Sequence, residues 1–550
     1  MNLPGFEGRA GRHAVLAFLL SLLFLCGLIA WLQNVHIFTL NGMYKSIQAE
    51  PWISDFGHAR LDASNYLYFP LYGALARLLD ALGILRGVAW KQFAYLNAFW
   101  ASLASAFVYL FVRRVTGSAL VAALATLFHL GCGFVLMLAV INEDIMPAYA
   151  VLLASMLMAA AWFDRPTYGR VVLVAIVFTL GWLIEWRLIF PTLPALVLAL
   201  AIAPIPVGRR AALIATLLIA IVATTGIVQQ IWEGHNGAMG LPDLLWTGKG
   251  VDTGWAGLSW DKAWMMLVGV GNYFLIIGDY LDPDTVKRHA AALAIPLLLQ
   301  TAIFVVAAIV LWPRRNDARV RAIAVVFLGT LGAGQVMNIY SQPQDPQMQL
   351  NVMAWLTPAW ALLVATLIVC ERRALTMALV VLSFLPLVWN VGSLSRWRGG
   401  DSKALATLAN IESHFPPDRT VFVYWGFEPI NVWQYALWSH TWDWDSGVND
   451  AKFKWIAIDS GSIRHPHWTP EEDAQSIKRQ IDTALDRGYR VAVAGFWDWS
   501  AAELASNLTG VSGANRAQAI HDMLHQDYRV QPAFVDPTAG PYYELFRRTP

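Results

Sequence analysis

Charge is scarce in this chain, and so is cysteine. Only 14% of the 550 residues are charged, 57% are hydrophobic, and the mean hydropathy is +0.47. That balance is too apolar for a soluble enzyme of this size and fits a polytopic membrane protein. The net charge of +1 argues against a nucleic-acid partner, which needs a basic surface. Cys26, Cys132 and Cys370 all lie in apolar runs, so they make no disulfide framework, and no CxxC is present to bind zinc. GxGxxG and GxxxxGK[ST] are both missing, so no nucleotide site is expected. Neither an internal repeat nor a low-complexity segment occurs. The first apolar run, Ala14 to Leu32, lacks a small-residue cleavage site followed by a polar mature region. It reads as a retained helix rather than a signal peptide.

What the chain does have is arginine in tight clusters: Arg9/Arg12, Arg113/Arg114, Arg165/Arg170, Arg209/Arg210, Arg314/Arg315/Arg319/Arg321 and Arg372/Arg373. No lysine occurs among them. Cytoplasmic loops of membrane proteins collect positive charge, so these clusters predict a topology. A span needs roughly 20 apolar residues to cross about 30 Å of hydrocarbon. Candidate spans are 13–33, 92–112, 119–141, 145–163, 171–187, 188–207, 211–232, 290–312, 322–340, 352–370 and 374–395, about eleven transmembrane helices in all. With the amino end in the cytoplasm, every arginine cluster lies inside, and the odd count puts the carboxyl end outside. The stretch from Trp264 to Tyr280 reads as an interfacial or re-entrant piece of an outer loop, because counting it as a span would push Arg314 to Arg321 outside.

The expected architecture is therefore a polytopic α-helical membrane domain, residues 1–395, with long outer loops 34–91 and 233–289. A C-terminal extracytoplasmic α/β domain, residues 396–550, follows. In that tail Ser402–His414, Pro470–Arg487 and Arg516–His525 read as helices. Thr420–Trp425, Phe453–Asp459, Tyr489–Gly495 and Tyr542–Phe546 read as strands. The alternation predicts a mostly parallel sheet.

The outer segments hold the carboxylates of interest. If 52–65 is helical, Asp55, His58 and Asp62 share one face at i, i+3 and i+7, with Ser54 as a candidate N-cap. A carboxylate beside a histidine can act as a general base on a hydroxyl. A solvated loop helix whose acids pair with Arg60 would show the same spacing. Glu143 and Asp144 sit between two spans, at the edge of the hydrocarbon. One reading has Asn142 capping the next helix, with both acids in its first turn complementing the dipole. The other starts from the cost of ionisable groups at membrane depth, which marks them as functional by default. Paired acids are natural ligands for a hard divalent cation, Mg or Mn, that holds a phosphate. Arg187, in Glu185-Trp186-Arg187, either grips a phosphate in a bidentate contact or pairs with Glu185 and snorkels to the interface. Gln344 and Asp345 lie in a short loop bounded by prolines, either reading sugar hydroxyls or forming an ordinary polar turn. In the tail, Trp442-Asp443-Trp444-Asp445 and Phe496-Trp497-Asp498-Trp499 follow strand ends. They suit a hydrophobic seam first and a sugar-contact surface second.

A span, an outer loop bearing Ser54-Asp55-Phe56-Gly57-His58, the element Tyr68-Phe69-Pro70-Leu71-Tyr72 and a second acid motif, Glu143-Asp144, follow one another here. This order resembles the GT-C superfamily of integral-membrane glycosyltransferases, as do the odd span count and the outer α/β domain. The resemblance implies a donor sugar carried on a polyprenyl phosphate or diphosphate. It implies that Asp55 is the catalytic base or lies beside the acceptor, and that Glu143-Asp144 helps place a metal or phosphate. Asp55 is followed by Phe56, not by the glutamate of protein O-mannosyltransferases and lipid A aminoarabinose transferases, which leaves donor and acceptor open. The Trp-Trp-Asp-Tyr-Gly signature of oligosaccharyltransferases is missing, which argues against transfer to asparagine.

The expectation is a glycosyltransferase of the bacterial cytoplasmic (inner) membrane. It would move a sugar from a polyprenyl-phosphate-linked donor to a glycan, lipid or protein acceptor on the outer face, with inversion. Two other readings compete. A transporter or flippase of lipid-linked sugars would place charged residues at mid-membrane on broken helices, whereas these acids collect at one face. An O-antigen ligase or polymerase would carry basic clusters in its large outer loop.

Overall fold

Apolar runs separated by arginine clusters become a helical bundle. A computed structural model describes residues 8–35, 67–84, 89–163, 165–185, 192–236, 260–278, 288–295, 373–425, 454–458, 469–506 and 513–548, with a few single positions between them. The chain divides into two compact units. The first comprises 1–38, 59–247 and 257–398, and the second 39–58, 248–256 and 399–550.

In the first unit the helices are α1 (Gly8–Leu32), α2 (Tyr68–Ala81), α3 (Ala89–Thr116), α4 (Ala119–Gly131), α5 (Gly133–Val140), α6 (Ile145–Trp162), α7 (Tyr168–Ile184), α8 (Leu193–Ala201), α9 (Val207–Asn236), α10 (Trp260–Phe274) and α11 (Arg373–Leu394). Among the described residues four helices are long and apolar enough to cross a membrane: Ala10–Leu32, Lys91–Arg114, Ile145–Trp162 and Val207–Ile231. The bent pair α4 and α5 makes a fifth when counted as one span. Leu16, Leu19, Leu20 and Leu23 of α1 are all more than half exposed, a face that needs lipid rather than water around it. Polar caps start the helices where the sequence turns: Ser118 accepts from Val121 N at 3.3 Å, and Thr167 from Arg170 N at 3.4 Å.

Two expected spans differ from the structure. The stretch 188–207 contains α8, only nine residues long, or about 14 Å. It ends before Pro204 and Pro206, which cannot continue a helix. The stretch 119–141 is not one straight helix: α4 and α5 meet at an angle of 70°. Spans 322–340 and 352–370 lie largely or wholly outside the described residues, and 290–312 is described only in part. The stretch 264–280, read as a re-entrant piece, falls mostly in α10, a 15-residue helix.

In the second unit α12 (Gly400–His414), α13 (Pro470–Asp486), α14 (Ala501–Ser506) and α15 (Gly513–Asp527) accompany a five-stranded sheet. Its order is β2-β1-β3-β5-β4, with β1 at Thr420–Trp425, β2 at Lys454–Ile458, β3 at Arg490–Ala494, β4 at Tyr528–Asp536 and β5 at Gly540–Arg547. Val421, Val423, Ile456, Val491 and Val493 from the parallel strands pack with Ile477 and Ile481 of α13 and Ile520 and Leu524 of α15. The period-2 and period-3.6 patterns meet in that core. A capping box at Thr469 and Glu472 starts α13.

The sheet is mixed, not mostly parallel. β1 pairs with β2 and β3 in parallel, but β5 runs antiparallel to both β3 and β4. The sequence reading missed β4 because Pro532 interrupts it. Proline is tolerated there because β4 is an edge strand, and the register shifts between Pro532 and Phe534. The hairpin turn is built by Asp536, whose Oδ1 accepts from Thr538 N and Ala539 N, both at 2.8 Å. Gly540 at φ +80° closes the turn.

Candidate functional site

Cys132 breaks the helix between α4 and α5. Its ψ of 131° is not helical, and glycines stand on both sides. A Cβ on Gly131 would lie 3.0 Å from Leu387 Cβ, and one on Gly133 would lie 3.0 Å from Ile276 N. Only glycine allows so close an approach. α5 then runs for eight residues and delivers Ile141 to Asp144 as a turn before α6. Every residue from Phe128 to Ala150 is buried.

Within this turn Asn142 and Glu143 are 0% exposed and Asp144 1%. The capping explanation does not hold. The N-cap of α6 is Asp144, not Asn142; it makes no side-chain cap bond, and no acid lies in the first turn of α6. The turn that carries the acids is itself held from neighbouring elements. Asn97, in the middle of α3, donates through Nδ2 to the carbonyls of Ile141 and Glu143, both at 2.7 Å. Its Oδ1 accepts from the Tyr72 hydroxyl. Asn142 N donates to Val35 O just past α1, at 2.9 Å.

The Tyr68-Phe69-Pro70-Leu71-Tyr72 element forms the first turns of α2, where a proline is compatible with a helix. The rings of Tyr68 and Tyr72 lie 4.3 Å apart at a tilt of 34°, and Tyr72 meets Phe93 of α3 edge-on at 5.0 Å. Burial, the neighbouring Tyr72 and the charge of Glu143 push the Tyr68 phenol well above its ordinary range. Asn97, bonded to the Tyr72 hydroxyl and to the carbonyls of Ile141 and Glu143, places the start of α2 beside the acid turn. Leu67 N donates to Leu183 O at 2.9 Å, which ties the same point to the end of α7. Glu185, the residue capping α7, is 1% exposed.

Of the residues singled out in the sequence, Glu143 and Asp144 are thus seen together in a buried turn. Asp55, His58, Asp62, Arg187, Gln344 and Asp345 lie outside the described residues, as does Trp442 to Asp445. Trp497 and Trp499 pack partly against the core of their own unit, and Trp497 stacks on His525 at 4.4 Å. Among the described residues no group of three or more His, Cys, Asp or Glu gathers as a metal site.

No protein-family model matches the chain, and no curated protein matches it in sequence. Solved structures do. ArnT from Cupriavidus metallidurans, crystallised with undecaprenyl phosphate, matches at a TM-score of 0.54 and 13% identity, over 96% of this chain and 97% of that one. The apo oligosaccharyltransferase of Archaeoglobus fulgidus matches at a TM-score of 0.56 and 11% identity, over 96% of this chain and 74% of that one. The same enzyme with zinc and sulfate matches at 0.51 and 12%, over 96% and 72%. The chain shares its fold with these two proteins.

Within this fold, sequence reasoning missed the residues that organise the acid turn. Asn97 and Asn390 are amides inside apolar helices, and both are 0% exposed. Polar groups at such positions are costly unless they satisfy something, and that was the signal available in the sequence. Near the break, His129 and Tyr149 stack at 5.5 Å, with the Tyr149 hydroxyl 3.4 Å from His129 Nδ1.

Proposed function

We propose that the chain is an inverting membrane glycosyltransferase. It moves a sugar from a polyprenyl-phosphate-linked donor to a hydroxyl on the outer face of a bacterial cytoplasmic membrane. The observation that carries this reading is the buried Glu143-Asp144 turn at the end of a broken span, in a GT-C fold that covers 96% of the chain. The likeness to an ArnT crystallised with undecaprenyl phosphate adds support for the donor class. A lipid-linked donor reaches its enzyme from the bilayer, with its chain in lipid and its phosphate at the interface, which is where such a turn is useful.

In this reading Asp55 removes the proton from the acceptor hydroxyl as its oxygen attacks the anomeric carbon. His58 orients Asp55 or shares its proton, and Asp62 is the competing base. The bond from the anomeric carbon to the phosphate oxygen breaks, and polyprenyl phosphate leaves with its charge held by Arg187. Gln344 and Asp345 read sugar hydroxyls. Glu143 and Asp144 place the donor phosphate, directly or through a divalent cation. As two hard oxygen donors in one buried turn they fit Mg or Mn, which would neutralise phosphate charge. The C-terminal α/β unit lies on the outer face.

The test is mass spectrometry of the purified full chain incubated with a panel of polyprenyl-phosphate sugars, with and without chelator. At least one donor should be consumed to polyprenyl phosphate. Glu143→Gln combined with Asp144→Asn should abolish turnover and weaken donor binding. Intact turnover in that double variant overturns the role of the acids, and no consumption of any donor overturns the reaction class.

A further inference from the structure

Two broken helices meet at one side chain. α4 stops at Gly131, and α10 stops at Phe274 with 275–277 unwound. In a membrane every backbone polar group freed by such breaks must find a partner inside the protein. Asn390, in α11, supplies both. Its Nδ2 donates to Gly131 O at 2.8 Å and to Phe274 O at 2.7 Å. Its Oδ1 accepts from Ile276 N at 2.8 Å. The neighbouring Trp389 Nε1 and Ser393 Oγ donate to Ile276 O at 3.1 and 2.9 Å. The amide of Asn390 is fully used, and it is the member of this trio that bonds to the α4–α5 break. Gly133 faces the same amide: a Cβ there would lie 3.1 Å from both its nitrogen and its oxygen.

We propose that Asn390 is a positioning residue for the acid turn: it fixes the bend between α4 and α5 and thereby the place of Glu143 and Asp144. The lever is short and stiff. α5 has eight residues, or about 12 Å at about 1.5 Å per residue. A change of about 10° at the bend moves its far end by about 2 Å, and misplacement of about 1 Å can cost on the order of a hundredfold in a site. The far end has its own clamp, Asn97, so α5 is held at both ends by asparagine amides. For the ligand, the proposal rests on the reading of Glu143 and Asp144 as phosphate-placing acids. For the bend, it does not.

The experiment uses the full chain in lipid nanodiscs, with undecaprenyl phosphate as the probe. Backbone hydrogen exchange across 131–144 is read without ligand, and the dissociation constant for undecaprenyl phosphate is read separately. Asn390→Ala should speed exchange across 131–144 by about tenfold or more and weaken binding by about tenfold, the scale seen when a group orienting a ligating residue is lost. The melting transition should stay cooperative. Asn390→Asp keeps the acceptor for Ile276 N but, held neutral by burial, has one donor in place of two, so it should fall between the wild type and Asn390→Ala. Ser393→Ala and Trp389→Phe, which lose only bonds to Ile276 O, should leave affinity within about twofold. Unchanged exchange and affinity in Asn390→Ala overturn the proposal. If that variant does not fold, Gly133→Ala presses on the same amide from the other side, and an unchanged bend and affinity there overturn it equally. Should the Glu143→Gln, Asp144→Asn double variant bind the probe normally, the phosphate role fails. The exchange measurement then still decides the positioning.

Discussion

Replacing Asn97 by alanine gives the sharpest test of how the acid turn is held. The substitution removes one acceptor and two donors, so the Tyr72 hydroxyl and the carbonyls of Ile141 and Glu143 lose this partner. In soluble proteins each buried group left so costs about 1–3 kcal/mol, a ceiling of about 9 kcal/mol for three. In membranes the measured worth of a side-chain hydrogen bond averages about 0.6 and reaches about 1.7 kcal/mol, because the unfolded chain in lipid also finds partners. Three such bonds give about 2–5 kcal/mol, and the membrane scale is the relevant one here. Tyr72→Phe removes only one of the three, about 0.6–1.7 kcal/mol. Once Asn97 is alanine, losing the Tyr72 hydroxyl should cost little, so the pair should couple by about 1 kcal/mol. The assay is a double-mutant cycle of unfolding free energies in a single detergent. Additivity within about 0.3–0.5 kcal/mol, the scatter of independent sites, would show that the Tyr72–Asn97 bond contributes nothing. A loss under about 0.5 kcal/mol in Asn97→Ala would show that the turn is held by something else.

Asp55→Asn should lower turnover by roughly 100- to 10,000-fold, the usual worth of a general base, while donor binding persists. A severe loss only in Asp62→Asn would move the base to that residue. A phosphatase reporter fused after Pro550 should be active and one fused after Arg210 inactive, and the reverse pattern would overturn the membrane side of every outer residue. In the C-terminal unit, burial pushes the Asp482 carboxyl up, but hydrogen bonds from Arg547, Tyr528 and Lys478 outweigh it and hold it below its ordinary range. A folded pKa below the unfolded value of about 3.9 means that its stabilisation is complete above about pH 4 and is lost as pH falls through the folded value. Protection of Pro470–Asp486 from hydrogen exchange, relative to the intrinsic rate at each pH, should therefore fall below about pH 4 in the full chain and respond less to pH in Asp482→Asn. Parallel profiles in the two proteins would refute this.

Strong periodicity made much of the architecture legible. Thr420–Trp425 is a strand at the bounds that its run of Val, Phe and Tyr predicted, and Pro470 opens the expected amphipathic helix with its capping box. Elements escaped where one residue defeated the pattern. Pro532 hid β4, since only its edge position makes a proline acceptable. Cys132 hid the bend because Ala119 to Val140 is apolar throughout apart from Thr126 and His129, and hydropathy says nothing about ψ. In the site, Glu143 and Asp144 stood out because charge is rare at that depth. Asn97 and Asn390 did not, because a neutral amide barely lowers the hydropathy of a 20-residue window, and its worth depends on carbonyls from distant helices.

Those two amides explain why an acid pair can sit in an irregular, buried turn at all. A continuous helix through 119–162 would satisfy its own backbone but would wind Glu143 and Asp144 into its cylinder, with their carboxylates on different faces. Breaking the helix twice, at Cys132 and again over 141–144, frees carbonyls that lipid cannot satisfy. Asn390 takes the carbonyl of Gly131, Asn97 takes those of Ile141 and Glu143, and Val35 O receives the amide of Asn142. Asn390 fixes the bend before α5 from α11, and Asn97 of α3 and Val35 just past α1 hold the turn itself, so its place is set by the packing of other helices rather than by its own sequence. A local substitution within 141–144 should therefore change the chemistry of the turn more than its shape. Substitutions at Asn97 or Asn390 should change its shape while leaving both carboxylates in the chain. Crossing Asp144→Asn with Asn97→Ala separates the two effects. Their losses of donor affinity should fall short of additive, because a misplaced turn no longer presents Asp144 to the phosphate. Full additivity would mean that the asparagine and the acid act on independent sites.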